Sequence, residues 1–220
     1  EITGKAIEKV IPGLKSVNAV DVAGVHPLLL AIGSERYTPY NPTKKPQEIL
    51  TIANHILGTG QMSLAKYLFI CDDEGSPNTN DERAYFTHFL ERVDWKRDLH
   101  FQTKTTIDTL DYSSEGLNEG SKIVLAAAGE KKRILSEKMG YIDLPDNFSN
   151  CRLVSNGNLV IEGSGEIHDL IISLEKQDMI GIGLITLVDD STFVSKDFAN
   201  WLWVTFTRSN PALDIYGLDS

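Results

Sequence analysis

A chain of 220 residues with 41% hydrophobic and 24% charged residues has ordinary globular composition, which excludes disorder and allows one large domain or two small ones. Its formal charge of −10 disfavours phosphate-backbone binding, which needs clustered Lys and Arg. The run Lys131-Lys132-Arg133 reads as a solvated patch behind Glu130.

In chain order, VNAVDV and LLLAI are short apolar runs around Ala23-Gly24 and predict two strands joined by a turn. Pro46 then opens a helix carrying Ile49, Ile52, Ala53, Ile56 and Leu57, with Gly58 and Gly60 as its stop. YLFIC (67–71) is apolar on both faces, as in a buried central strand. Thr79 and Glu82 have capping-box spacing and predict a helix with Phe86, Phe89, Leu90 and Val93 on one stripe. The segment 98–133 follows. CRLVS and NLVIE then flank Asn156-Gly157, a hairpin signal of the type I′ class. After them come a helix with Leu170, Ile171 and Leu174, the strand GLITLV, and a helix over 197–208.

The order hairpin, helix, buried strand, helix is therefore written twice, over about 16–98 and 150–214, joined by 99–149. Asp81 and Asp197, Arg92 and Arg208, and Asp98 and Asp214 recur at one common offset. The expectation is a single α/β domain over 1–220. It is a three-layer α/β/α sandwich with a mixed sheet, internally duplicated, in which strands 67–71 and 184–188 share one sheet.

Few residues point to chemistry. Asp72, Asp73 and Glu74 follow a buried strand, where open α/β sheets place ligand groups, and oxygen ligands suit Mg²⁺. Solvated loop acids are the plainer reading. The five histidines show no ligand pair, the GxG fragments lack a third glycine, and neither a phosphate loop nor a nucleophile elbow is present. Cys71 and Cys151 sit apart in apolar runs and read as free thiols in a reducing cytoplasm. The helix with Trp201 and Trp203 is apolar nearly all round, which predicts core burial or a subunit interface. No apolar stretch approaches the roughly 20 residues of a spanning helix. The sequence opens on Glu1 without a signal peptide and reads as an excised piece of a longer protein.

LAKYLFICDDE, the helix through Arg92 and Asp98, and TTIDTLDYSSEGLNEGSKIVLAAA together resemble the C-terminal part of the UbiD family of decarboxylases. GLITLVDDSTFVSKDFANWLWVTFTRSNPALD resembles it too, with Trp203, Arg208, Pro211 and Asp214 fitting the family's helix-and-exit motif better than the first copy does. The resemblance implies a carboxy-lyase for aromatic or α,β-unsaturated acids that uses prenylated FMN with a divalent metal such as Mn²⁺. The flavin ligands, the metal ligands and the acid–base residues would lie in an N-terminal flavin-binding domain. This chain would be the C-terminal domain that closes the substrate side and joins subunits into homo-oligomers, with no catalytic, cofactor or metal residue of its own. Leu110, Tyr112 and Lys122 would face the substrate. Otherwise Leu110 and Tyr112 are core packing and Lys122 is a surface charge. A stand-alone α/β ligand-binding or interaction domain without catalysis is the alternative.

Overall fold

The computed structural model describes residues 9–36, 40, 43–113 and 116–218. The first unit opens with β1 (Leu14–Ala19) and β2 (Leu28–Gly33), paired antiparallel, and continues through α1 (Glu48–Leu57), β3 (Tyr67–Asp72) and α2 (Glu82–Arg92). β3 lies parallel to β2. The joining segment adds β4 (Leu99–Thr106) and β5 (Glu119–Ala127), which complete a five-stranded sheet of order β1-β2-β3-β5-β4. The second unit repeats the plan with antiparallel β6 (Phe148–Ser155) and β7 (Asn158–Gly163), then α3 (Ile167–Glu175) and β8 (Leu184–Val188) parallel to β7. It ends in α4 (Ser191–Lys196), α5 (Phe198–Arg208) and α6 (Pro211–Asp214).

The duplication extends to individual hydrogen bonds. Asp81 caps α2 by accepting from the Ala84 amide, and Asp197 caps α5 by accepting from the Ala199 amide, each at 3.0 Å. Arg92 and Arg208 close the two helices. Beyond them, Asp98 accepts from the Asp94 amide and Asp214 from the Asn210 amide, the same reach of four residues. Asp81 thus does the capping expected of Thr79, whose hydroxyl instead meets Ser16.

Mixed sheets covered by helices are as expected, but the two strands expected to be buried in one sheet do not share one: β3 is buried within the five-stranded sheet, whereas β8 is a partly buried edge strand of a separate three-stranded one. The cause is β5, which pairs with the free edge of β3 from Tyr67↔Ile123 to Cys71↔Ala127 and leaves no place for β8 there. The units instead stack through a shared helical layer. α2 and α5 pack Phe86, Phe89, Trp201 and Phe206 between Leu30 and Phe69 of the large sheet and Val160 and Val188 of the small one. α1 covers the far face of the large sheet and α3 that of the small. Trp201 is fully buried, meets Phe86 edge-on and donates its indole N–H to Thr186 at 3.0 Å, so of the tryptophan pair only Trp203 reaches solvent. The Asn156-Gly157 hairpin forms, but Gly157 alone takes positive φ (+65°), so the turn is not type I′.

Candidate functional site

The feature that departs most from ordinary packing is the loop between β4 and β5, at the end of the sheet where the parallel strands β2, β3 and β5 begin. Lys66 immediately precedes β3, and its side chain, 1% exposed, reaches an Asp111 carboxylate that is 4% exposed, with Nζ–Oδ2 at 2.7 Å. The same ammonium donates to Ser113 Oγ at 2.9 Å. Burial lowers the Lys66 pKa, and Asp111 opposes that shift. Ahead of β2, His26 Nδ1 meets Asp108 Oδ2 in a second brace. Burial alone would raise the Asp108 pKa, but the Leu110 amide and His26 outweigh it and hold the carboxyl below its usual range. The acids of the DTLDY run thus point inward at two fixed partners.

The apolar residues of the same run point out. Leu110 is 75% and Tyr112 87% exposed, so neither packs in the core. Lys122, in β5, is the reverse: 4% exposed, with Nζ donating to the Ser63 carbonyl and a pKa lowered by burial. It is not a surface charge. Lys122 is next to Lys66 across the sheet, since the Ile123 amide donates to the Lys66 carbonyl at 2.9 Å. Of the three residues singled out from sequence, then, the loop displays Leu110 and Tyr112, while Lys122 is buried in β5 and bonded to Ser63. The braces His26–Asp108 and Lys66–Asp111 escaped sequence reasoning. The legible signal was the spacing of the two acids in DTLDY, three positions apart, with Leu110 between them and Tyr112 directly after.

The opposite end of the sheet holds the acids expected to gather a cation, and they diverge. Asp72 is buried and accepts from the Gly129 amide at 3.3 Å, with burial raising its pKa. Asp73 pairs with Arg36 at 3.0 Å, and Glu74 pairs with Lys44. Among the described residues no group of three or more His, Cys, Asp or Glu side chains converges as a metal site. These residues do not fit a divalent metal, and no step through one is derived from them. Neither cysteine is in a disulfide, and Cys71 is buried with its thiol pKa pushed up to about 12. No described helix is long and apolar enough to cross a membrane.

Fold and site together define a doubled α/β domain that displays a braced apolar loop. Residues 1–127 match the family model of the 3-octaprenyl-4-hydroxybenzoate carboxy-lyase C-terminal domain, and the chain belongs to the UbiD family. That match ends at β5, so the first copy, rather than the second, takes the family position. Over 216 residues the chain is 32% identical to an uncharacterized protein of Chlamydia trachomatis, covering 98% of this chain and 35% of that protein. It is also 32% identical to a Chlamydia pneumoniae protein named as a subunit of 4-hydroxybenzoate decarboxylase, covering 96% of this chain and 34% of that one. The chain spans about a third of the length of these curated relatives. Among solved structures it is similar to the vanillic acid decarboxylase of Sedimentibacter hydroxybenzoicus in closed form, with TM-score 0.47 and 16% identity over 65% of this chain and 28% of that one. It is also similar to the UbiD-class enzyme HmfF of Pelotomaculum thermopropionicum in complex with FMN, with TM-score 0.45 and 16% identity over 64% and 28%.

Proposed function

We propose that this chain is the assembly and substrate-lid domain of a non-oxidative decarboxylase acting on aromatic or α,β-unsaturated carboxylic acids. Prenylated FMN and a divalent ion such as Mn²⁺ would be held in the enzyme's own N-terminal flavin-binding domain and would supply the decarboxylation chemistry there. The domain contributes shape rather than acid–base groups: Leu110 and Tyr112 close over the substrate side, with Lys122 of β5 as the third substrate-side residue. One observation carries the reading, namely the outward display of Leu110 and Tyr112 on a loop whose acids are pinned inward by His26 and Lys66. An apolar side chain held exposed on a braced loop implies a partner surface, since burying it there gains free energy without further ordering of the loop. The family match over residues 1–127 supports the activity, and the greater length of the relatives supports the flavin domain. The free thiols are consistent with the cytoplasm.

Kinetics of the full-length enzyme, reconstituted with prenylated flavin and Mn²⁺, test this. Leu110→Ala and Tyr112→Ala raise KM or shift preference among aromatic acids by about tenfold, the value of one or two lost apolar contacts, with flavin content unchanged. Unaltered kinetics in both variants would remove the lid role. If the polypeptide upstream of Glu1 has no flavin-binding domain, the stand-alone interaction domain replaces the whole reading.

A further inference from the structure

The two units differ most at one strand edge. In the first, the outer edge of β3 is paired along its length by β5. In the second, β8 pairs with β7 on one side and ends the sheet on the other. No described residue makes a backbone hydrogen bond to that outer edge. After α6, Ile215 packs against the core shared by the two sheets and Leu218 against the far core of the small sheet, and neither residue pairs with β8.

Native edge strands are guarded by charge, proline or a bulge. The β8 sequence LITLV has none of these, and its first four residues are only partly buried. The Leu184 amide bonds to Gly157 on the β7 side, so by strand alternation the amides and carbonyls of Ile185 and Leu187 face outward. We infer that the outer edge of β8 binds the β8 of a second copy of this chain, antiparallel about a twofold axis at Thr186. This rests on the assembly role proposed above and names its surface.

The sequence is self-complementary in that register. Ile185 and Leu187 of one copy meet Leu187 and Ile185 of the other, exchanging both backbone bonds, while Leu184 faces Val188 and Thr186 faces Thr186. Apolar residues oppose apolar residues, and a Thr–Thr pair is favourable. The charges agree as well. Asp189 and Asp190, just past the strand, fall opposite Gly183 and Ile182 rather than each other, and Arg208 lies 3.9 Å from Asp189. Parallel self-pairing would set the acids side by side. Antiparallel pairing is also the arrangement a closed, isologous dimer needs.

Mass by light scattering across the micromolar range, combined with amide exchange at two concentrations, tests the inference. A dimer is expected, with the Ile185 and Leu187 amides slowing as it forms. Ile185→Pro removes one outward amide without touching the β7 ladder and weakens the dimer about tenfold or more. Exchange requires no variant, so misfolding of the proline chain leaves the test intact. A dimer whose Ile185 and Leu187 amides exchange freely would overturn the β8 surface while keeping the assembly role. A monomer throughout, or protection already complete in the monomer, would overturn pairing with a second copy.

Discussion

The Lys66 ammonium lies 2.7 Å from the Asp111 carboxylate with both side chains withdrawn from water, tying the start of β3 to the loop that carries Leu110 and Tyr112. Two charges so placed depend on each other, because removing one leaves the other desolvated and unpaired. Asp111→Ala is expected to destabilise the chain by about 3–5 kcal/mol in urea unfolding. Replacing both residues with apolar ones of similar volume should cost far less. Equal losses in the single and double variants would show that the pair is not coupled.

Lys122 offers a separate alkaline signature. Its pKa is depressed by burial, so between the folded value and the ordinary 10.5 the unfolded chain binds more protons, and stability rises with pH through that window. Lys122→Met removes a buried charge held by one carbonyl and is expected to stabilise by about 1 kcal/mol near neutrality. The gap between variant and wild type then shrinks as pH rises. A gap that stays constant would contradict a charged, buried Lys122.

His88 gives the acid counterpart. Burial, then the nearby Arg92, lowers its pKa to about 4, and its Nε2 is buried without a hydrogen-bond partner. A folded pKa below the unfolded 6.5 means that the stabilising effect is complete above 6.5 and is lost as pH falls through 6.5 toward 4. The loss is up to about 3 kcal/mol. His88→Gln should flatten that limb of the stability curve, and an unchanged acid limb would count against it.

Much of this architecture was legible because period and punctuation agree with the final packing. YLFIC is buried on both faces, and the repeated Asp and Arg positions fall at matching caps and helix ends. The sheet assignment was not legible, because β3 and β8 are equally apolar and nothing in either strand says which neighbour fills its edge. β5 decides that from a segment without a counterpart in the second unit. The site was legible only as a resemblance. Apolar Leu110 and Tyr112 read as core by type, and their exposure follows from His26 and Lys66, which lie 82 and 45 positions away from Asp108 and Asp111.

Trp201 and Trp203 should behave oppositely. Trp201 fills the shared layer between the sheets, so Trp201→Ala is expected to cost about 3–5 kcal/mol. Trp203 is 46% exposed with Arg208 over its ring, so Trp203→Asp should leave the melting temperature nearly unchanged. Similar losses in both would contradict the layer arrangement.

The chain by itself, mixed with prenylated flavin and Mn²⁺, is expected to retain no chromophore and release no CO₂, because the proposal assigns the flavin, metal and acid–base groups to a separate N-terminal domain. Stoichiometric flavin binding would contradict the division of labour between domains.

The most direct test of the lid assignment places a fluorinated tyrosine at position 112 of the full-length, flavin-loaded enzyme and follows its resonance as an aromatic carboxylic acid is added. A saturable shift is expected, absent in the isolated chain and diminished by Asp111→Ala, which frees the loop from Lys66. A resonance that ignores substrate at saturation would contradict a substrate-facing role for this loop.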